Sequence, residues 1–247
     1  MVENGTSTPQ VALVTGAGGG IGFEVCRKLA ERGMTVILTA RNPDKSAAAA
    51  RELSEAGLDG RPATLDVSDE ESVRRLAGQI EEEFGRLDVL VNNAAAFVDW
   101  TETALTADLG AAHRVFETNL FGAWRVSQAF APLIRNSKRG RIVNVSSGAG
   151  SHGETRFGLT TGGGAVASYG ISKAAINGLT AKLAAELEDT GILVNAVCPG
   201  LTATAPGMEE MGARPVAEGA ASVVWAATLD DDGPTGGFFR DGEPLPW

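Results

Sequence analysis

Short apolar runs alternate with amphipathic stretches along almost the whole chain, and this alternation constrains the fold more than any other sequence feature. The apolar runs are Val11–Thr15, Thr35–Thr39, Pro62–Leu65, Val89–Asn92, Arg141–Val145, Leu193–Cys198 and Gly237–Phe239. Strands that are apolar throughout are typical of parallel sheets whose crossover helices cover both faces. The sequence therefore predicts an α/β fold, a doubly wound parallel sheet of about seven strands with helices on both faces.

The stretches between these runs carry helix signals. Helices are expected over Ile21–Arg32, Asn42–Ala56, Ser168–Glu188 and Pro215–Leu229. Asn42-Pro43 fits an N-cap followed by the first helical position, and Ser68 and Glu71 have the spacing of a capping box. A long helix is expected around Leu105–Pro132, with the option of a break near Leu109–Gly110.

No linker or internal repeat divides the chain. Residues 1–9 are polar, with neither a basic start nor an apolar core, so we expect a flexible N-terminal tail rather than a signal peptide. Residues 10–247 are expected to form a single domain, because α/β folds of this length are commonly one domain. The stretches at about 95–104, 148–167 and 201–213 are expected to be loops over a ligand site.

Charge and cysteine content exclude several classes of partner. A net charge of −10 disfavours nucleic acid and anionic membranes, because both are polyanions. No apolar run approaches the ~20 residues of a membrane helix. Cys26 and Cys198 lie far apart in apolar stretches, which indicates buried free thiols in a reducing, cytoplasmic compartment. No ligand spacing suggests a metal, and a small molecule remains the expected partner.

A glycine cluster follows the first predicted strand and opens the first predicted helix. It contains Gly16, Gly20 and Gly22, with Ile21 between the last two. In this position glycines permit a tight turn and let backbone N–H groups approach a pyrophosphate at the helix N-terminus. The cluster therefore indicates dinucleotide binding, with a flexible turn as the alternative.

Tyr169, the single tyrosine of the chain, precedes Lys173 by four residues on a predicted helix. Side chains at this spacing share a helix face. A phenol titrates near ~10, and a nearby ammonium lowers that pKa, so the tyrosine becomes a usable acid or base closer to neutrality. The alternative is an exposed pair without a role.

The glycine spacing departs from G-x-G-x-x-G and matches the T-G-x-x-x-G-x-G pattern of short-chain dehydrogenases/reductases. The other matching motifs, in chain order, are Asp66, Asn92-Asn93-Ala94, Asn119, Ser146-Ser147, Tyr169-x-x-x-Lys173 and Pro199-Gly200. The chain therefore resembles the classical type of that family over nearly its whole length. The resemblance implies a single catalytic domain of the Rossmann type.

The resemblance also implies roles for the matching residues. Ser147 would hydrogen-bond the substrate oxygen, with Ser146 as the alternative, and Tyr169 would exchange the proton. Lys173 would bind the nicotinamide ribose, and Asn119 would hold a water that connects the lysine to solvent. The implied cofactor-binding residues are Gly16, Gly20, Ile21, Gly22, Arg41, Asp66, Val67, Asn93, Ala94, Tyr169, Lys173, Pro199, Gly200 and Thr202.

The end of the second strand indicates which nicotinamide cofactor is preferred. NAD binders usually place a carboxylate there for the ribose 2′-hydroxyl, whereas an arginine accommodates the 2′-phosphate of NADP. This chain has Thr39-Ala40-Arg41 and no acid before Asp44. We therefore expect NADP(H) rather than NAD(H), the alternative being that Arg41 is a solvated loop charge.

The implied activity is hydride transfer between NADP(H) and a carbonyl or secondary alcohol. The long segment from Ser147 to Tyr169, together with Trp247, is similar to carbonyl reductases of the monomeric type, and whether this chain is a monomer, dimer or tetramer stays open. A catalytically silent NADP(H)-binding sensor is the alternative, disfavoured because the serine, tyrosine and lysine are all present. An apolar lining, and so an apolar ketone or aldehyde, is indicated by Phe97, Val98, Trp100 and Met208.

Overall fold

Eight strands join into one sheet in the computed structural model, which describes residues 8–247. They are β1 (Val11–Val14), β2 (Thr35–Ala40), β3 (Gly60–Thr64), β4 (Val89–Asn92), β5 (Arg141–Val145), β6 (Leu193–Val197), β7 (Phe238–Arg240) and β8 (Glu243–Pro244), in the spatial order β3-β2-β1-β4-β5-β6-β7-β8. Neighbours from β3 to β7 pair in parallel, and β8 is antiparallel to β7. The predicted parallel sheet is confirmed. Residues 1–7 of the predicted tail lie outside the described residues.

Helices cover both faces of the sheet, as predicted. They are α1 (Gly20–Ala30), α2 (Pro43–Glu55), α3 (Glu70–Phe84), α4 (Leu109–Phe116), α5 (Ala123–Arg135), α6 (Ala167–Glu186) and α7 (Val216–Ala227). On one face, Val91 of β4 shares a buried core with α1, α2 and α7. On the other face, its neighbour Leu90 shares a core with α3, α5 and α6. Within residues 8–247, no helix combines the length and apolar character needed to cross a bilayer.

Capping residues decide where the helices begin. Asn42 accepts a hydrogen bond from the Asp44 backbone N–H at 2.9 Å and caps α2, as predicted. The predicted capping box of Ser68 and Glu71 is wrong, because Asp69 caps α3 by accepting from the Glu71 N–H at 3.0 Å. A carboxylate one residue later is an equally favoured N-cap and also suits the positive end of the helix dipole.

The predicted long helix starts later than expected and changes its winding. Asp108 caps α4 by accepting from the Gly110 N–H at 2.8 Å. The helix therefore begins at Leu109, where the sequence had suggested a break. Between α4 and α5, residues Glu117–Gly122 form a π-helical segment. α4 contacts α6, whereas α5 contacts α3 and β4. The segment therefore links two helices that pack against different parts of the molecule.

The strand order reverses between β1 and β4. β1 leads into α1 on one face of the sheet, and β4 leads toward α4, which packs on α6 of the other face. The connections therefore diverge at the carboxyl ends of these two strands and leave a crevice, which is where open α/β sheets bind ligands.

Candidate active site

The loop between β1 and α1 lies at this crevice. Gly16 has φ +66° and Gly20 has φ +56°, in the left-handed region that glycine adopts without strain. Gly19 stands at the N-cap of α1 and has no side chain to bond the first helical N–H groups. Uncapped amides at the positive end of a helix dipole, reached through an open glycine turn, fit a pyrophosphate.

Asn93 fastens the glycine loop to the end of β4. Its Nδ2 donates to the carbonyl oxygens of Thr15 at 2.9 Å and Gly16 at 3.1 Å. In return, Thr15 Oγ1 accepts from the backbone N–H groups of Asn93 and Ala94, both at 2.9 Å. A Cβ at Gly16 would stand 2.8 Å from Ala94 Cα. The predicted cofactor-binding residues of β1 and β4 are thus packed into one unit.

We expect Gly22→Ala to weaken folding and dinucleotide binding together. A Cβ there would stand 2.5 Å from Asn93 Nδ2 and 2.6 Å from the Gly16 oxygen, so the loop must shift. The expected cost is about 2 kcal/mol of stability and about tenfold weaker NADPH binding. Melting temperature and NADPH titration measure both effects. Gly78→Ala in α3 is the control, since its Cβ enters open space; equal behaviour of the two variants would contradict this expectation.

Arg41 and Asp66 lie at the same edge of the sheet, beyond the ends of β2 and β3. Arg41 is exposed, and Asp66 is half-buried. Burial opposes ionisation of Asp66, but hydrogen bonds from Ser68 and the positive charges of Arg41 and Arg125 together hold its pKa below the ordinary value of 3.8. Arg41 is thus within electrostatic reach of Asp66, another predicted cofactor-binding residue.

Val67 is held by the π-helical segment. A Cβ at Gly122 would stand 2.7 Å from Val67 Cγ2, so the glycine permits this close approach. The Val67 carbonyl oxygen also accepts from Arg125 at 2.6 Å. The π-helical segment and the start of α5 therefore both contact Val67, a predicted cofactor-binding residue.

Tyr169, Lys173 and Ser147 come together where α6 passes the end of β5. Lys173 Nζ lies 5.5 Å from the centroid of the Tyr169 ring and donates to the Val145 carbonyl oxygen at 2.8 Å. Ser147 caps the 3₁₀ turn Gly148–Gly150, which packs on α6 and brings the serine toward Tyr169. A phenol, an amine and a hydroxyl are therefore available at one point of the crevice for proton transfer.

Burial governs the ionisation of the phenol and the amine. It raises the pKa of Tyr169 above the ordinary value of 10, and the hydrogen bond with Ser147 offsets part of that rise. Burial also lowers the pKa of Lys173 from 10.5 to about 8. Contrary to the predicted lowering by Lys173, burial dominates the pKa of Tyr169 in this structure. The Lys173 amine donates to the Val145 carbonyl oxygen instead.

The two neighbouring serines face different partners. Ser146 is buried, and its Oγ donates to Asn177 Oδ1 at 2.6 Å, inside the protein. Ser147 is half-buried, and its Oγ also accepts from the Ala149 N–H at 3.2 Å. Of the pair, Ser147 is therefore the hydroxyl that lies beside Tyr169.

Asn119 lies in the π-helical segment and is buried. Its Oδ1 accepts from the Ala96 N–H at 2.7 Å, and its Nδ2 donates to the Ala96 oxygen at 3.1 Å. The same Nδ2 donates to Ser172 Oγ at 3.0 Å, and Ser172 Oγ donates to the Tyr169 carbonyl oxygen at 2.7 Å. Asn119 therefore joins the loop after β4 to the helix that carries Tyr169. Its implied water-holding role remains a prediction.

Beyond β6, the backbone is shaped by Arg214. The Pro199 carbonyl oxygen accepts from Thr202 Oγ1 at 3.1 Å and from Arg214 Nε at 2.7 Å. Gly200 has φ +72°, and a Cβ there would stand 3.0 Å from Arg214 Nε. The sequence predicted Pro199, Gly200 and Thr202 as site residues but not Arg214. Nothing in the local sequence links an arginine on a later loop to this turn.

The segment 148–167 is irregular, apart from short 3₁₀ turns, and packs on the last residues of the chain. Ser151 Oγ donates to the Pro246 oxygen at 2.6 Å, and the His152 N–H donates to the Trp247 oxygen at 3.0 Å. In the 95–104 segment, the Phe97 ring stacks on the Tyr169 ring with centroids 5.1 Å apart. Of the expected substrate loops, 95–104 thus reaches Tyr169 itself, and 148–167 connects Ser147 to α6.

Comparisons with known proteins agree on the family. The sequence model of short chain dehydrogenases matches residues 10–213. The chain is 40% identical over 200 residues to a Streptomyces virginiae protein that carries the name of a monensin polyketide synthase ketoacyl reductase, a match that covers 80% of this chain and 72% of that protein.

Two solved structures have the same fold. One is a gluconate 5-dehydrogenase from Burkholderia cenocepacia in complex with NADP and tartrate, with a TM-score of 0.80 and 26% identity over 94% of this chain and 92% of that one. The other is salutaridine reductase from Papaver somniferum, with a TM-score of 0.78 and 28% identity over 94% and 99%. With the matching motifs gathered at one crevice, these findings show that the chain belongs to the short-chain dehydrogenase/reductase family.

Proposed function

We propose that the chain reduces an apolar ketone or aldehyde with NADPH, using Ser147, Tyr169, Lys173 and Asn119. Membership of the family makes it an oxidoreductase acting on CH–OH or carbonyl groups. The observation that carries the finer proposal is the Lys173 amine 5.5 Å from the Tyr169 ring, on the helix that packs against the turn after Ser147.

In the proposed mechanism, the hydroxyls of Ser147 and Tyr169 bind the carbonyl oxygen of the substrate. NADPH, when bound, supplies hydride to the carbonyl carbon. Ser147 and Tyr169 donate hydrogen bonds to the carbonyl oxygen, where negative charge develops, and Tyr169 passes its proton to that oxygen. A phenol whose pKa lies above 10 holds its proton at neutral pH, and this is the form that can donate to a carbonyl oxygen.

Lys173 and Asn119 are proposed to support the tyrosine. With a pKa lowered to about 8, Lys173 holds a proton at neutral pH and releases it at little cost, so it suits the return of a proton to Tyr169. We also propose that Lys173 binds the nicotinamide ribose. Asn119, which holds the loop at Ala96, is proposed to keep a water on the path from the amine to solvent.

The preference for NADP(H) is proposed from Arg41. A guanidinium at the end of β2 grips a 2′-phosphate in a fork, whereas a carboxylate would repel it. The related gluconate 5-dehydrogenase was solved with NADP, which supports this choice. The glycine turn and the uncapped start of α1 serve the pyrophosphate in either cofactor.

Arg41→Ala should weaken NADPH binding by about tenfold or more and leave NADH binding nearly unchanged. The reason is that only NADPH carries the phosphate that the guanidinium would hold. Titration with each cofactor measures the effect. Arg51→Ala, which removes an exposed arginine from α2, is the control. If the wild type binds NADH within a few-fold of NADPH, the assignment of Arg41 fails.

The apolar substrate is proposed from the side chains around Tyr169. Phe97 is 68% exposed although it stacks on the tyrosine ring, and Trp100 is 59% exposed. An exposed aromatic face beside Tyr169, with a second exposed aromatic residue in the same segment, favours an apolar or aromatic carbonyl compound over a sugar.

The test of the proposed function is consumption of NADPH with a panel of ketones and aldehydes, graded from aliphatic to aromatic and including sugars. We expect turnover that rises with the apolar character of the substrate. NADPH binding without turnover of any member would instead favour the silent sensor, whereas a preference for sugars would overturn the substrate class.

A further inference from the structure

We propose that Glu102 is a positioning residue for Tyr169, with its carboxylate holding the first turn of α6 in place. The inference rests on the proposed function, because Tyr169 is the residue that it positions. Neither the family motifs nor the site described above includes Glu102. It lies in the 95–104 loop, far in sequence from α6.

The contacts of Glu102 are directed at the residues immediately before Tyr169. Its Oε2 accepts from the Ser168 backbone N–H at 2.9 Å and from Ser168 Oγ at 2.7 Å. Its own carbonyl oxygen accepts from the Ala167 N–H at 3.3 Å. Side chain and backbone of one loop residue thus bind the first two residues of α6.

The start of α6 depends on such an outside partner. Val166 stands at the N-cap with φ +50° and ψ +40° and makes no side-chain cap. A β-branched residue in the left-handed region is strained and persists only where its surroundings impose the conformation. A carboxylate at this end of the helix replaces the missing cap and interacts favourably with the helix dipole.

The same loop also contacts Tyr169 directly. Asn119 holds the Ala96 backbone through two hydrogen bonds, and the Phe97 ring stacks on the Tyr169 ring. The loop is therefore bound at Ala96, stacked at Phe97 and tied at Glu102. Freeing the Glu102 end would let α6 fray at Ser168 and let the phenol drift from Ser147.

The test compares Glu102→Ala and Glu102→Gln with Asp69→Ala. Asp69 caps α3 through a single backbone hydrogen bond, accepted from Glu71 of the same helix, so its loss costs a comparable helix cap in α3 rather than in α6. For Glu102→Ala we expect kcat to fall about tenfold with KM for NADPH nearly unchanged. Glutamine keeps an acceptor oxygen and should recover most of that turnover, while Asp69→Ala should lose stability but not kcat.

A second readout does not depend on turnover. Amide hydrogen exchange of residues 167–172 should become faster in Glu102→Ala and stay unchanged in Asp69→Ala, because only the former loses the bond to the Ser168 N–H. Unchanged exchange would overturn the proposal, as would a glutamine variant no better than alanine. A wild-type protein that binds NADPH but reduces no carbonyl would refute the proposed function, while the exchange result would still decide the role of Glu102.

Discussion

Tyr169→Phe is expected to lose about 10²–10⁴-fold in kcat, the usual contribution of a positioned general acid. The substitution removes only the hydroxyl that gives its proton to the substrate oxygen. The phenylalanine ring can still stack on Phe97, as the tyrosine ring does. NADPH affinity should change little. Steady-state kinetics with the best carbonyl substrate and an NADPH titration provide the two measurements.

Both results are needed to interpret the tyrosine variant. An unchanged melting temperature and NADPH titration would show that the fold and the cofactor site are intact. Turnover within a few-fold of the wild type would contradict the assignment of Tyr169 as the acid. Because the chain has one tyrosine, loss of the phenol absorbance change at high pH would identify the titrating group directly.

Lys173→Met should have opposite effects on activity and stability. We expect kcat to fall by about 10²-fold or more, since the amine that supports Tyr169 is gone. Burial lowers the pKa of Lys173 from 10.5 to about 8, which corresponds to a penalty of about 3 kcal/mol for the charged form in the folded state. The hydrogen bond to Val145 offsets about 1 kcal/mol, so the variant should gain about 2 kcal/mol at pH 7.

The pH dependence of the free energy of unfolding tests whether burial of the Lys173 amine is the reason for the stability gain of Lys173→Met. Between pH 8 and 10.5 the unfolded state of the wild type binds more protons at Lys173 than the folded state does, so stability from this group rises with pH. The stability advantage of Lys173→Met over the wild type should therefore become smaller between pH 8 and 10.5. Denaturant unfolding at pH 7 and pH 10 measures it. Lys182→Met, an exposed position on the same helix, should show no such trend, and a constant advantage would contradict the explanation.

Patterns that repeat or stand next to each other in the sequence predicted most of the fold. The apolar runs located β4 and β5 with their observed bounds, because strands buried on both faces leave an unbroken apolar signature. The motifs likewise predicted that Ser147, Tyr169 and Lys173 would meet, since each follows or accompanies the carboxyl end of a central strand. Asn42 was predictable as a cap because its partner lies two residues away.

Properties that depend on packing between distant segments were not predictable. Ser68 and Asp69 are both acceptable N-caps, and only the local backbone selects Asp69. The pKa of Tyr169 depends on how much water the surrounding elements exclude, which helical spacing does not reveal. Glu102 is one acidic residue in an irregular loop, and its contact with Ser168 exists only because the fold brings the two together.

The π-helical segment between α4 and α5 restricts changes in chain length. A π turn holds about one residue more than an α turn, which rotates everything after it by about 100° around the common axis. That offset lets α4 contact α6 while α5 contacts α3 and β4. Deleting one residue from Glu117–Gly122 would turn the π turn into an α turn and rotate α5 relative to α4. Either Asn119 or Phe130 would then lose its present contacts. Insertions and deletions are therefore expected to be far more disruptive here than substitutions.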